Sequence, residues 1–263
     1  MLMHMGSANT GTATSAHLTP DLTNMPRGGF GASCLDRLLQ TDRQEYLDRD
    51  DVDPAVRAGV ISVLERLGSA FGEHERNARL VLDEVAAVSD PRILELGAGH
   101  GALSVRVLAE HPTARVTVSD VNLESVAAMA AGELGRDPRA EVRVVDATDI
   151  DAPDGSFDLA VFSMSFHHLP PVLAARVLTE ATRVAGRLLI IDLPRPPAPL
   201  HLIRLATMVP LAPFWPFAHD GLVSSLRTYS PSAFRELAAH AGVEVEIRPA
   251  RFGPQVVVAR RTE

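Results

Sequence analysis

From Pro91 onward, short apolar runs alternate with amphipathic ones along this chain. Runs rich in β-formers lie at Arg92–Leu96, Arg115–Ser119, Glu141–Val145, Phe157–Ser163 and Arg187–Leu193. Runs of helical period lie between them at Ala102–Glu110, Asn122–Leu134 and Pro171–Val184. Such alternation predicts an α/β fold with a doubly wound, parallel sheet. The alternation stops at Pro194. The segment 194–229 is apolar and proline-rich, with Phe214, Trp215 and Phe217 grouped, and reads as an insertion. A helix then starts near Ser230-Pro231 and stops at Gly242. Two more strand runs follow, Val243–Arg248 and Gln255–Arg260.

The pattern before Pro91 is helical and charged. Asp53 and Pro54 form an N-cap and first-turn pair for a helix to about Gly68, with Val56, Val60, Val63, Leu64 and Leu67 at helical spacing. A second helix is expected over Glu73–Val88. Residues 35–90 are therefore expected to cap the main domain, 91–263. Residues 1–34, rich in Gly, Ser, Thr and Ala, read as a disordered leader.

Composition removes several functions. The 263 residues carry a net charge of −8, which argues against a nucleic-acid or anionic-membrane surface. No lysine occurs, so Schiff-base chemistry and a P-loop lysine are excluded. Cys34 is the single cysteine, so no intrachain disulfide forms and a reducing compartment is the default. The longest apolar stretch, Leu200–Ala218, holds Pro210, Pro213, Pro216 and Arg204, which spoil a membrane-spanning helix. A cytoplasmic protein without stable membrane insertion is expected.

The candidate chemistry gathers at Ile93-Leu94-Glu95-Leu96-Gly97-Ala98-Gly99-His100-Gly101. A glycine turn between strand and helix lets backbone approach a ligand at the positive end of the helix. Gly97, Gly99 and Ala102 also satisfy a relaxed dinucleotide fingerprint, so an NAD(P)-dependent oxidoreductase is one alternative. Glu95 argues against it: a carboxylate is a poor neighbour for a pyrophosphate and a good one for an ammonium or sulfonium group. Asp120 and Asp146 stand at the ends of the second and third strands, the edge where ligands bind in this architecture.

These stretches resemble the class I S-adenosylmethionine-dependent methyltransferases. The match runs over the glycine turn, Val118-Ser119-Asp120-Val121, Val145-Asp146-Ala147, and Phe157–Ser163 continuing into Phe166-His167-His168-Leu169. The last of these looks like the small-molecule branch that includes ubiquinone and menaquinone methyltransferases. The resemblance implies a Rossmann-like sheet of seven strands, mostly parallel, the last antiparallel. It implies that Gly97, Ala98, Gly99 and Gly101 lie under the methionine part of S-adenosylmethionine, with Glu95 near its amino group. Asp120, flanked by Val121 and Asn122, would hold the ribose, Asp146 and Ala147 the adenine, and Ser163 would lie near the sulfonium. S-adenosylhomocysteine would be the product.

For the acceptor, the expectation is a small, partly apolar molecule under a lid built from 194–229, with O-methylation of a phenolic or polyketide-like hydroxyl foremost. Histidine suits the base, and His168 and His219 are the candidates. Arg227 and Tyr229 are candidates for positioning the acceptor. C-methylation of a quinone-like ring and a non-catalytic cofactor-binding scaffold are the alternatives. No metal ligand is assigned, and the insertion could serve a homodimer.

Overall fold

A computed structural model of the protein describes residues 21–49, 51–207, 210, 215–248 and 253–262. Seven strands form one sheet: β1 (Arg92–Leu96), β2 (Arg115–Asp120), β3 (Ala140–Val144), β4 (Leu159–Ser163), β5 (Arg187–Asp192), β6 (Val243–Arg248) and β7 (Gln255–Arg261). Their order is β3-β2-β1-β4-β5-β7-β6. The first five are parallel, with Glu95 level with Val118 on one side and Val161 on the other. β7 runs antiparallel between β5 and β6, pairing Leu189 with Val258 and Ala259 with Val245. The fold and the antiparallel last strand agree with expectation. The order reverses between β1 and β4, which places a ligand crevice at their carboxyl ends.

Alternation along each strand sends side chains to two cores. Leu94, Leu96, Leu188 and Ile190 pack with helices α6 (Pro171–Ala185) and α9 (Pro231–Ala241). Ile93, Leu189 and Ile191 face the other way, against α3 (Glu73–Glu84) and α4 (Ala102–Glu110). Both faces are covered, which is why these strands read as continuous apolar runs.

Capping sets several helix limits. Asp53 accepts the Ala55 N–H and starts α2 (Pro54–Ala70), a contact worth about 1 kcal/mol. Ser230 starts α9, and Gly242 ends it in the left-handed conformation at φ 68°. Asn122 caps α5 (Leu123–Ala131), which stops short of the expected Leu134 because Gly132 breaks it; Leu134 is buried instead by a short 3-10 turn. α3 likewise ends at Glu84, four residues before the expected limit.

The disordered leader expected over 1–34 does not extend that far. Residues 1–20 lie outside the described part, but from Asp21 on the chain is packed into the core. Leu22 and Met25 are buried against α6 and its neighbours. The Arg27 guanidinium sits 4.5 Å over the Tyr229 ring and donates to the carbonyls of His167 and Leu169. A low-complexity composition hid these few anchoring side chains.

The insertion folds as α7 (Ala198–Ala206) and α8 (Trp215–Arg227). Phe214 and its three predecessors lie outside the described residues. No helix among the described residues is long and apolar enough to cross a membrane.

Candidate active site

The glycine turn is built at the carboxyl end of β1. Gly97, Gly99 and Gly101 all take positive φ, at 62°, 59° and 78°. They serve different purposes. A Cβ at Gly97 would press on the Ser165 Oγ at 2.9 Å and the Phe162 ring, so close packing requires this glycine. A Cβ at Gly99 would meet no atom within 4 Å: this position faces open space at the head of α4. That space, beside a helix start, is where an anionic or polar ligand group is favoured.

Two acids shape the turn. Asp120, ending β2, accepts the Gly99 N–H at 2.8 Å and the Asn122 N–H at 2.9 Å. Ala98 donates to the Ser119 carbonyl, and Val145 to that of Asp120, so the tips of β1, β2 and β3 are drawn together. Asp146 follows, exposed, its Oδ1 accepting from the Thr148 backbone and hydroxyl. Val121 is exposed, and Ala147 packs partly buried against the core. Ser163, ending β4, accepts weakly from Asn77 at 3.5 Å.

Glu95 is the unusual member. Its side chain is 4% exposed, and no ion pair reaches it among the described residues. Burial pushes its carboxyl up to about 7; the Ser104 hydroxyl donates to it and restrains the rise, while the nearby Asp120 charge adds to it. A buried carboxylate without a cation, beneath an open cradle, is matched to a cationic ligand group.

Two clusters lie beyond the glycine turn. A cavity of about 370 Å³ opens over the tips of β4 and β5, lined by Glu73, Arg76, Met164, Leu193, Pro194 and Arg204, among others. The lining is polar rather than the apolar one expected of 194–229, which contributes Pro194 and Arg204 while Glu73 and Arg76 come from α3, and Leu200, Leu202, Ile203 and Trp215 are exposed. The second cluster joins the 42–49 strap to the turn after β4 and to α8. His168 Nδ1 lies 2.8 Å from Asp48, and His219 Nδ1 lies 2.9 Å from Asp220. Asp220 also accepts the backbone N–H groups of Tyr46 and Leu47, and the Tyr46 ring lies 4.4 Å from that of His219. His167 is buried, with Nδ1 2.7 Å from Asp192 and Nε2 3.4 Å from Glu45. Burial alone would lower its pKa, but the two carboxylates outweigh it and carry it up to about 9.

Two other candidates serve the scaffold. Tyr229 is 2% exposed and donates to the Leu169 carbonyl. Arg227 holds Asp48 and the His168 carbonyl.

Sequence reasoning passed over Asn77, Ser104, Glu45 and Asp192. A serine three residues after Gly101 and an asparagine on the apolar face of α3 are weak signals. Glu45 carries none, since its partners lie more than a hundred positions away.

Residues 93–186 match the family described as a methyltransferase domain. The chain is 38% identical over 97 residues to a malonyl-[acyl-carrier protein] O-methyltransferase of Geobacter sulfurreducens, covering 37% of this chain and 35% of that protein. This chain therefore spans about a third of that relative. It is 27% identical to a demethylmenaquinone methyltransferase of Thermus thermophilus, over 73% of this chain and 91% of the relative. Among solved structures, the plantazolicin methyltransferase BpumL in complex with S-adenosylhomocysteine superposes with a TM-score of 0.63 at 12% identity, covering 86% and 98% of the two chains. The sheet order, the glycine turn and the methyltransferase-domain match over residues 93–186 together support a class I S-adenosylmethionine-dependent methyltransferase of the small-molecule branch, with S-adenosylmethionine as its cofactor.

Proposed function

We propose that the protein transfers a methyl group from S-adenosylmethionine to a hydroxyl of a small, partly apolar acceptor of phenolic or polyketide-like character. The observation that carries this reading is the buried Glu95, without a paired cation among the described residues, in the strand that runs into the turn whose Gly99 position meets open space. The site residues fit the cofactor. Glu95 would face its ammonium, Gly97, Ala98, Gly99 and Gly101 would carry its methionine part, and Asp120 with Val121 and Asn122 its ribose. Asp146 and Ala147 would lie at the adenine, and Ser163 near the sulfur.

When bound, the cofactor supplies a methyl group already activated by a positively charged sulfur. The protein's own residues then have to orient the acceptor, exclude water and take a proton. The 370 Å³ cavity has room for one small ring system, and Arg76 and Arg204 suit an acceptor bearing an acidic oxygen. His219 is the base we assign: Asp220 engages Nδ1, which leaves Nε2 to receive the hydroxyl proton. A second reading, C-methylation of a quinone-like ring, is favoured by the match across most of the demethylmenaquinone enzyme.

The test is incubation with S-adenosylmethionine carrying a deuterated methyl group and a panel of phenols, followed by mass spectrometry. A labelled methyl ether is expected; a label on ring carbon would select the second reading. Binding of NAD(H) without binding of S-adenosylhomocysteine would overturn both.

A further inference from the structure

We propose that Glu45, His167 and His168 form a binding site for a divalent transition-metal cation of the zinc class. His167 Nε2 lies 3.4 Å and His168 Nε2 3.9 Å from the same oxygen, Glu45 Oε1. One donor atom from each of the three residues falls within a 4.8 Å span. Metal–ligand bonds of roughly 2.0–2.2 Å place tetrahedral ligand atoms roughly 3.3 Å apart, so closure by at most about 1.5 Å completes the site.

The surroundings are arranged as they are around metal-bound histidines. Each imidazole has its Nδ1 engaged by a carboxylate, Asp192 at 2.7 Å for His167 and Asp48 at 2.8 Å for His168. That contact holds a proton on Nδ1 and turns Nε2 toward Glu45, the outer-shell arrangement of metal-bound histidines; a cation entering there would displace the Nε2 proton of His167. His167 Nε2 is buried and makes no hydrogen bond; its contact with Glu45 is close but misaligned. A ring nitrogen in a 2%-exposed side chain, held only by a loose 3.4 Å ion contact, is under-satisfied, and coordination would satisfy it.

Charge points the same way. Glu45, Asp48 and Asp192 surround the two rings, and Arg227 lies 3.4 Å from Asp48. Ser224 donates to Glu45 at 2.7 Å, fixing the oxygen that both histidines face. Two imidazoles and one carboxylate are a donor set typical of zinc with an open fourth position. The His168 side chain, 27% exposed, offers the route of entry.

The full chain, stripped with a chelator and dialysed, is titrated with zinc and separately with cobalt(II), without cofactor or acceptor. One equivalent bound, with the visible bands of tetrahedral cobalt and a raised Tm, is expected. Glu45→Gln and His168→Ala should each weaken zinc binding at least about tenfold, and Asp48→Asn roughly ten- to a hundredfold. No stoichiometric binding would overturn the site, as would binding that these variants leave unchanged. S-adenosylhomocysteine affinity, measured on the same stripped protein, reports on the methyltransferase reading separately.

Discussion

The carboxylate of Asp120 accepts the backbone N–H of Gly99 at 2.8 Å, tying the tip of β2 to the middle of the glycine turn. One side chain thus shapes the cradle and stands where a ribose would bind. Removing it should act on affinity through both routes. We expect Asp120→Ala to weaken S-adenosylhomocysteine binding by about 2–3 kcal/mol, or roughly 30- to 150-fold, by calorimetry. An unchanged affinity would take Asp120 out of the site.

The glycines of the turn should separate folding from binding. At Gly97 an added methyl presses on Ser165 and Phe162, so Gly97→Ala should lower Tm markedly. At Gly99 it meets nothing, and the substitution costs only the left-handed strain of about 1–2 kcal/mol. Gly99→Ala should therefore lose far more cofactor affinity than stability, read from thermal melts alongside calorimetry. The reverse pattern would refute the assignment of open space to Gly99.

Glu95 makes stability depend on pH. Its pKa is 4.5 unperturbed and about 7 when folded, so between these values the folded state holds a proton that the unfolded state has lost. The stabilisation is complete below pH 4.5 and fades as pH rises through 7, by about 3 kcal/mol in all. Glu95→Gln, which stays neutral, should match the wild type at pH 5 and exceed it in Tm at pH 8, while binding cofactor more weakly. A Tm difference that does not grow with pH would contradict this.

His219→Ala should keep S-adenosylhomocysteine affinity and lose turnover about a hundredfold or more, the usual contribution of a positioned base. Unchanged turnover would remove His219 from the mechanism.

Asp220→Ala should loosen the strap it caps. Hydrogen exchange at the Tyr46 and Leu47 amides should speed by the equivalent of about 2 kcal/mol, with little effect at the buried amides of β1. Equal acceleration in both places would mean global rather than local loosening.

Much of the cofactor half was legible in the sequence because it depends on short-range pattern. β1 and α4 have the expected limits, and Gly97, Gly99 and Asp120 meet as their strand-end positions imply. Residues that act across the fold were not legible. Glu45 reaches His167 and His168 only because the strap crosses the sheet edge, and no spacing encodes that. Leu22 and Met25 were lost in a low-complexity stretch for the same reason. The acceptor cavity was expected to be apolar from the residues of 194–229; its polarity comes largely from Glu73 and Arg76 on α3, a different part of the chain.

The antiparallel insertion of β7 bears on how the molecule is made. β6 precedes β7 in the chain yet touches the sheet only through it. A chain emerging from the ribosome therefore carries β5 as an open edge and β6 as an unpaired ribbon until β7 appears. Both edges close in one event, and until then the nascent chain exposes two strand edges to any partner that can add a strand.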